Sequence, residues 1–149
     1  MIQEYSSYEI SALQQLAGFR YIFYADVQKP DAKNKRDKEG DFILHQSIDS
    51  FIEIFCQNNF ADTDYSVIQN RPLEFESADR WIDQINIDTV LKCLTYIIWN
   101  NKIDEGYFLK KIHDGLIEKH LSRLENILNE NNMPLNLANN TMFIVSVSR

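Results

Sequence analysis

The chain has 149 residues, 44% hydrophobic and 25% charged, with 15 Lys and Arg against 22 Asp and Glu, four Gly and three Pro. A chain of that length can bury about 70% of its unfolded surface in one core, so collagen-like, low-complexity and wholly disordered architectures are excluded. The net charge of -7 argues against a protein whose main work is holding nucleic acid phosphates or anionic lipid, because both need an excess of Lys and Arg.

The opening MIQEYSSYEI lacks the basic and apolar regions of a secretory signal, and no apolar run reaches the roughly 18 residues of a spanning helix. A cytoplasmic protein with no membrane contact is expected. Cys56 and Cys93 each lie in an apolar helical pattern and read as buried thiols in a reducing compartment. The triplet Asn139-Asn140-Thr141 fits a glycosylation site but is idle in that compartment.

Ile10, Leu13, Leu16 and Ala17 recur at three and four residues, predicting a short helix from Ser7 that stops at Gly18. In Phe19 to Val27, a run dense in aromatic and β-branched residues, Phe19, Tyr21, Phe23, Ala25 and Val27 alternate with Arg20, Ile22, Tyr24 and Asp26, which predicts a strand, with one continuous helix from Ser7 to Tyr24 as the competing assignment. Residues 29 to 41 carry nine charges and one apolar residue, Ala32, the composition of a loop. Ser47 opens the next helix, with Ile48, Phe51, Ile52 and Phe55 on one face and Asn58-Asn59 at its end. Pro72 interrupts whatever precedes it.

Further on, Ser77 caps a short helix bearing Ala78, Trp81, Ile82 and Ile85, and Asp88 caps another with Val90, Leu91, Leu94, Ile97 and Ile98 as its stripe. Asp104 begins a helix with Phe108, Leu109 and Ile112 inward, and Gly115 sits at its left-handed stop. Ile117, Leu121, Leu124 and Leu128 mark the last helix. Thr141 to Val147 reads as a strand pairing with Phe19 to Val27 or with Phe42 to His45. The expected fold class is therefore α+β, mainly α: a bundle of about five helices with a small antiparallel sheet formed by N-terminal and C-terminal strands, in one domain over residues 1–149.

Common catalytic signatures are absent. The four glycines make no phosphate loop, and no HExxH, CxxC or GxSxG occurs, so zincin, zinc-ribbon and hydrolase-elbow chemistry is not expected. His45, His113 and His120 have no His or Cys partner at metal-ligand spacing and read as surface or half-buried residues. Asp62 and Asp64 form a DxD and Glu74 and Glu76 an ExE, either of which can offer two oxygens to Mg2+ or Ca2+. Asp79 and Asp83 stand one turn apart. These six carboxylates are the candidate site, read first as protein-binding. The crowded aromatics Tyr5, Tyr8, Phe19, Tyr21, Phe23 and Tyr24 have only Arg20 among them and suit a core with a protein contact better than a base-stacking platform.

The run DFILHQSIDSFIEIFCQNNFADTDY and the later run ADRWIDQINIDTVLKCLTYIIWNNKIDEGYFLKKIHDGLIEKHLSRLENI resemble a family of uncharacterised bacterial and phage proteins, number 6508 in the domain-of-unknown-function series. The resemblance spans residues 42–127 and is carried by Ala78-Asp79, Leu94-Thr95, Glu105-Gly106, Gly115 with Ile117, and Leu121 with Arg123-Leu124. Lys102-Ile103 stands where the family has an Arg-Phe pair, and Trp99 where it has a basic residue. The resemblance implies a compact, mainly helical domain with no established activity.

The acidity is local: residues 42 to 88 hold nine carboxylates and two arginines, Arg71 and Arg80. The expected function is a non-enzymatic protein-protein interaction module without a cofactor. One alternative is an acidic inhibitor that masks the basic site of a nucleic-acid-binding protein. Another is a metal-dependent hydrolase using the 62/64 and 74/76 carboxylates.

Overall fold

In the computed structural model, which describes residues 5–28, 38–61 and 81–135, the run after Gly18 continues a helix. Helix α1 spans Ser7–Gln28. It opens with a capping box: Ser6 N donates to Glu9 Oε1 at 2.8 Å, and Glu9 N donates to Ser6 Oγ at 3.1 Å. Ala12, Leu16, Phe19 and Phe23, with Leu13 and Ala17 beside them, are all buried, which is a period of three and four that runs unbroken through Gly18. Strand alternation would have turned Tyr21 inward with its neighbours. Instead it is 40% exposed. β-propensity measures fit to a half-buried surface, and here the available surface is that of other helices.

Helix α2 spans Lys38–Gln57 and takes in Phe42 to His45, the second expected strand, along with the end of the charged stretch. The expected antiparallel sheet is therefore corrected. Among the described residues there is no strand, and Thr141 to Val147 lies outside them. Helix α2 ends as expected at Asn58-Asn59, by a left-handed cap. Asn59 has φ +60, its N donates to Cys56 O, and Phe60 N donates to Phe55 O, each at 3.2 Å. Phe60 then meets Phe55 edge-on at 6.0 Å.

After a short 3-10 turn at Ile82–Gln84 come α3 (Ile87–Ile103), α4 (Tyr107–His113) and α5 (Leu116–Glu130). The cap of α3 is Asn86, whose side chain accepts from Thr89 N at 2.9 Å, with Asp88 in the first turn where the dipole favours it. Asp104 closes α3 instead of opening α4, and Asn101 Oδ1 accepts from Phe108 N at 2.9 Å. Gly106 and Gly115 have φ of +97 and +90, left-handed positions that let two sharp corners join α3, α4 and α5. Helix α5 ends in the same type of cap as α2, with Asn132 at φ +60 and Met133 N donating to Leu128 O at 2.8 Å.

The buried residues of all five helices form one hydrophobic cluster. Helix α1 lies against α2, α4 and α5, while α5 lies against α1, α3, α4 and the 3-10 turn. Phe51 of α2 is fully buried, with ring centroids 5.4 Å from Phe19, 5.8 Å from Phe23 and 5.5 Å from Phe108. On the polar side, Arg20 Nη1 donates to Glu125 Oε1 at 3.0 Å, and Tyr21 Oη lies 2.9 and 3.0 Å from the two Glu125 oxygens. Gln14 Nε2 donates to the carbonyls of Met133 and Pro134 at 3.3 and 3.0 Å. No helix among the described residues is long and apolar enough to cross a membrane.

Phe51→Ala removes a ring shared by three helices, so urea unfolding of this variant is expected to show a loss of about 3–5 kcal/mol. A loss below about 1 kcal/mol would mean that α2 is not packed on α1 and α4.

Candidate functional site

Of the six carboxylates singled out by sequence, Asp62, Asp64, Glu74, Glu76 and Asp79 lie outside the described residues. Asp83 is exposed in the 3-10 turn. Among the described residues no group of three His, Cys, Asp or Glu is placed to hold a metal ion. The histidines and cysteines sort differently from expectation. His45 and His113 are exposed, but His120 is fully buried. Cys56 is exposed at the end of α2, while Cys93 is buried with its thiol pushed up to about 12 by burial, which makes it a poor nucleophile. The crowded aromatics divide: Phe19 and Phe23 are core, Tyr21 binds Glu125, and Tyr8 is 84% exposed.

The positions that carried the resemblance are mostly structural. Leu94, Thr95, Ile117, Leu121 and Leu124 are buried, and Gly106 and Gly115 form corners. Glu105 and Arg123 are different, because each lines a cleft. Glu105 borders a cleft of about 300 Å3 together with His45, Asp49 and Asn101. The side-chain oxygen of Asn101 is already committed to capping α4.

The cleft at Arg123, about 250 Å3, lies between the segment Gln84 to Ile87 and the second half of α5. Two elements build it. The 3-10 turn brings the chain against α5, and there Arg123 Nε donates to the carbonyl of Ile85 at 2.9 Å. That bond holds the guanidinium in place and leaves both Nη groups with no partner among the described residues. Ile87 and Ile127 supply apolar walls; Asn131 and Glu130 sit at the far rim, one turn beyond Ile127. Asn86 spends its side-chain oxygen on Thr89 N, and Asn131 spends its Nδ2 on the Ile127 carbonyl at 2.8 Å. The first therefore presents an N–H2 donor and the second an oxygen acceptor. Chemically the cleft offers a fixed cation, the amides of Gln84, Asn86 and Asn131, one carboxylate and an apolar floor. Among the described residues that line it, no nucleophile and base lie in reach of each other.

Sequence reading missed this cleft. One signal was present: Arg123 falls between Leu121 and Leu124 on α5, close enough to the buried stripe that its stem is half-buried and its head must find a partner.

His120 has a separate consequence. Its Nδ1 lies 2.9 Å from the Leu116 carbonyl, an acceptor, so that nitrogen carries the proton. The Trp81 ring stands edge-on at 6.4 Å. Burial lowers the imidazole pKa to about 4, with Lys119 adding in the same direction and the Leu116 carbonyl opposing.

A family model, that of the family of unknown function DUF6508, matches residues 11–130. The matched span takes in most of α1, which lay outside the resemblance at 42–127, so the first helix is part of the family's pattern. No curated protein and no solved structure matches the chain.

Because the folded imidazole refuses a proton that the unfolded one accepts below about pH 6.5, His120 stabilises the fold above that pH, and the stabilisation drains as pH falls toward 4. Between pH 7.5 and 5 the wild type is expected to lose about 2 kcal/mol more than His120→Phe in urea unfolding. Parallel curves for the two proteins would show that the ring is not held neutral.

Proposed function

The chain belongs to DUF6508, a family of unknown function, and on that premise we propose that it is a non-enzymatic, cytoplasmic module that binds a segment of another protein in the cleft between Gln84–Ile87 and α5. The observation that carries this reading is Arg123: a cation tied by Nε to a main-chain carbonyl, with its other two nitrogens left at a cleft that has apolar walls and unspent amides. A half-buried guanidinium held in one pose has already lost the rotamer freedom that binding would otherwise cost. The exposed Cys56 thiol, with no disulfide partner, suits a reducing compartment. The metal-hydrolase alternative rests on carboxylates at 62, 64, 74 and 76, which lie outside the described residues, and of the acidic-inhibitor pair Asp79 and Asp83 only the exposed Asp83 lies within them.

Random-peptide display on the purified protein tests the reading. Gln84 is exposed on the cleft rim, so Gln84→Trp fills the cleft without touching the core. Enriched peptides are expected to bind the wild type at least tenfold more tightly than this variant, at an unchanged melting temperature. If no sequence is enriched, or if the selected peptides ignore Gln84→Trp, the cleft is not a binding site.

A further inference from the structure

We infer that what the cleft reads in its partner is a single peptide carboxylate lying beside an apolar side chain; this rests on the reading of the cleft as a protein-binding site and names its ligand chemistry. Arg123 uses Nε on the Ile85 carbonyl. What remains is the edge formed by Nη1 and Nη2, whose two parallel N–H groups match the two oxygens of a carboxylate. Helix α3 starts at Ile87, on the cleft wall, with its positive end partly offset by Asp88 in the first turn. At about 250 Å3 the cleft is smaller than the roughly 300–1,000 Å3 of most cofactor and drug sites, a size that suits one or two residues of an extended chain.

The remaining groups select peptide over other anions. The Asn86 N–H2 can donate to a main-chain carbonyl, while the Asn131 oxygen can accept from a main-chain N–H. Buried Ile87 and Ile127 offer an apolar side chain a dry wall. Glu130 lies two turns from Arg123 along α5, about 10 Å by helix rise. Its repulsion grows with the charge of the anion, so it weakens a phosphate dianion or a nucleic acid backbone at Arg123 more than it weakens a single carboxylate. The carboxylate can come from a chain terminus or from an Asp or Glu side chain, and capped peptides separate these two sources.

The experiment is isothermal titration at low salt with four probes: acetyl-Ala-Ala-Leu with a free terminus, acetyl-Ala-Asp-Leu-amide, the neutral acetyl-Ala-Ala-Leu-amide, and inorganic phosphate. At least one carboxylate peptide is expected to bind tenfold or more tightly than the neutral peptide, and which one does so identifies the source. Arg123→Gln keeps an amide able to reach the Ile85 carbonyl and is expected to erase that difference. Glu130→Gln, at an exposed position, is expected to raise phosphate affinity at least threefold and gives a readout independent of how well the Arg123 variant folds. Equal binding of neutral and charged peptides, a difference that survives Arg123→Gln, or wild-type phosphate binding as tight as the best peptide would overturn the inference. Display peptides that are blocked by Gln84→Trp yet show no carboxylate dependence would sink this inference alone. Peptides indifferent to Gln84→Trp would sink the cleft reading as well.

Discussion

Phe51 of α2 meets Phe19 and Phe23 of α1 and Phe108 of α4, and the rest of the structure depends on this contact. It joins residues far apart in the chain, so it fixes where the first helix lies relative to the last three. Each buried Phe removes enough apolar surface to contribute about 1.5–3 kcal/mol, and each well-oriented ring pair adds about 0.5–1.5 kcal/mol. By comparison the long, half-exposed pair of Arg20 with Glu118 at 3.8 Å is worth little. Burial of one face sets the position and rotation of α1, and the contacts of Arg20 and Tyr21 with Glu125 add to it.

The cleft inherits its geometry from that arrangement. With α1 in place, Arg20 and Tyr21 converge on Glu125, and Gln14 holds the carbonyls of Met133 and Pro134. Helix α5 is thereby gripped along the face it turns to α1. Its other side meets α3 and the 3-10 turn, where Arg123 catches Ile85. The cleft is thus built between the firmly placed α5 and one short turn, which is how a small domain can hold a side chain in a single pose. His120, on the same helix and edge-on to Trp81, is held neutral by burial, so acid that charges it is expected to oppose the seating of α5.

Much of this was legible in the sequence, and the failures have physical reasons. The stripes of α3, α4 and α5 and the left-handed corner at Gly115 follow from spacing and chemistry that act locally. Asn59 and Asn132 end helices because Asn tolerates positive φ. The segment Phe19 to Val27 misled because its residues fit strand and helix patterns alike. What decides between them is the presence of Phe51 and Phe108, a long-range fact that no window contains. Asp88 and Asn86 both suit a cap, and the choice between them turns on one hydrogen bond to Thr89. The site was the least legible part. Carboxylate pairs are conspicuous in a sequence, whereas Arg123 becomes notable only when Ile85, 38 residues away, is folded against it.

The central claim is that this domain presents one binding cleft whose working group is Arg123. Its most direct measurement is amide chemical-shift mapping of the labelled protein on addition of acetyl-Ala-Ala-Leu or acetyl-Ala-Asp-Leu-amide, whichever of the two binds more tightly. The account predicts shifts concentrated at Gln84 to Ile87 and at Arg123 to Asn131, including the side-chain amides of Asn86 and Asn131, with α2 and the exposed rim of α1 silent. Shifts centred on another face, or none at saturating peptide, would contradict it.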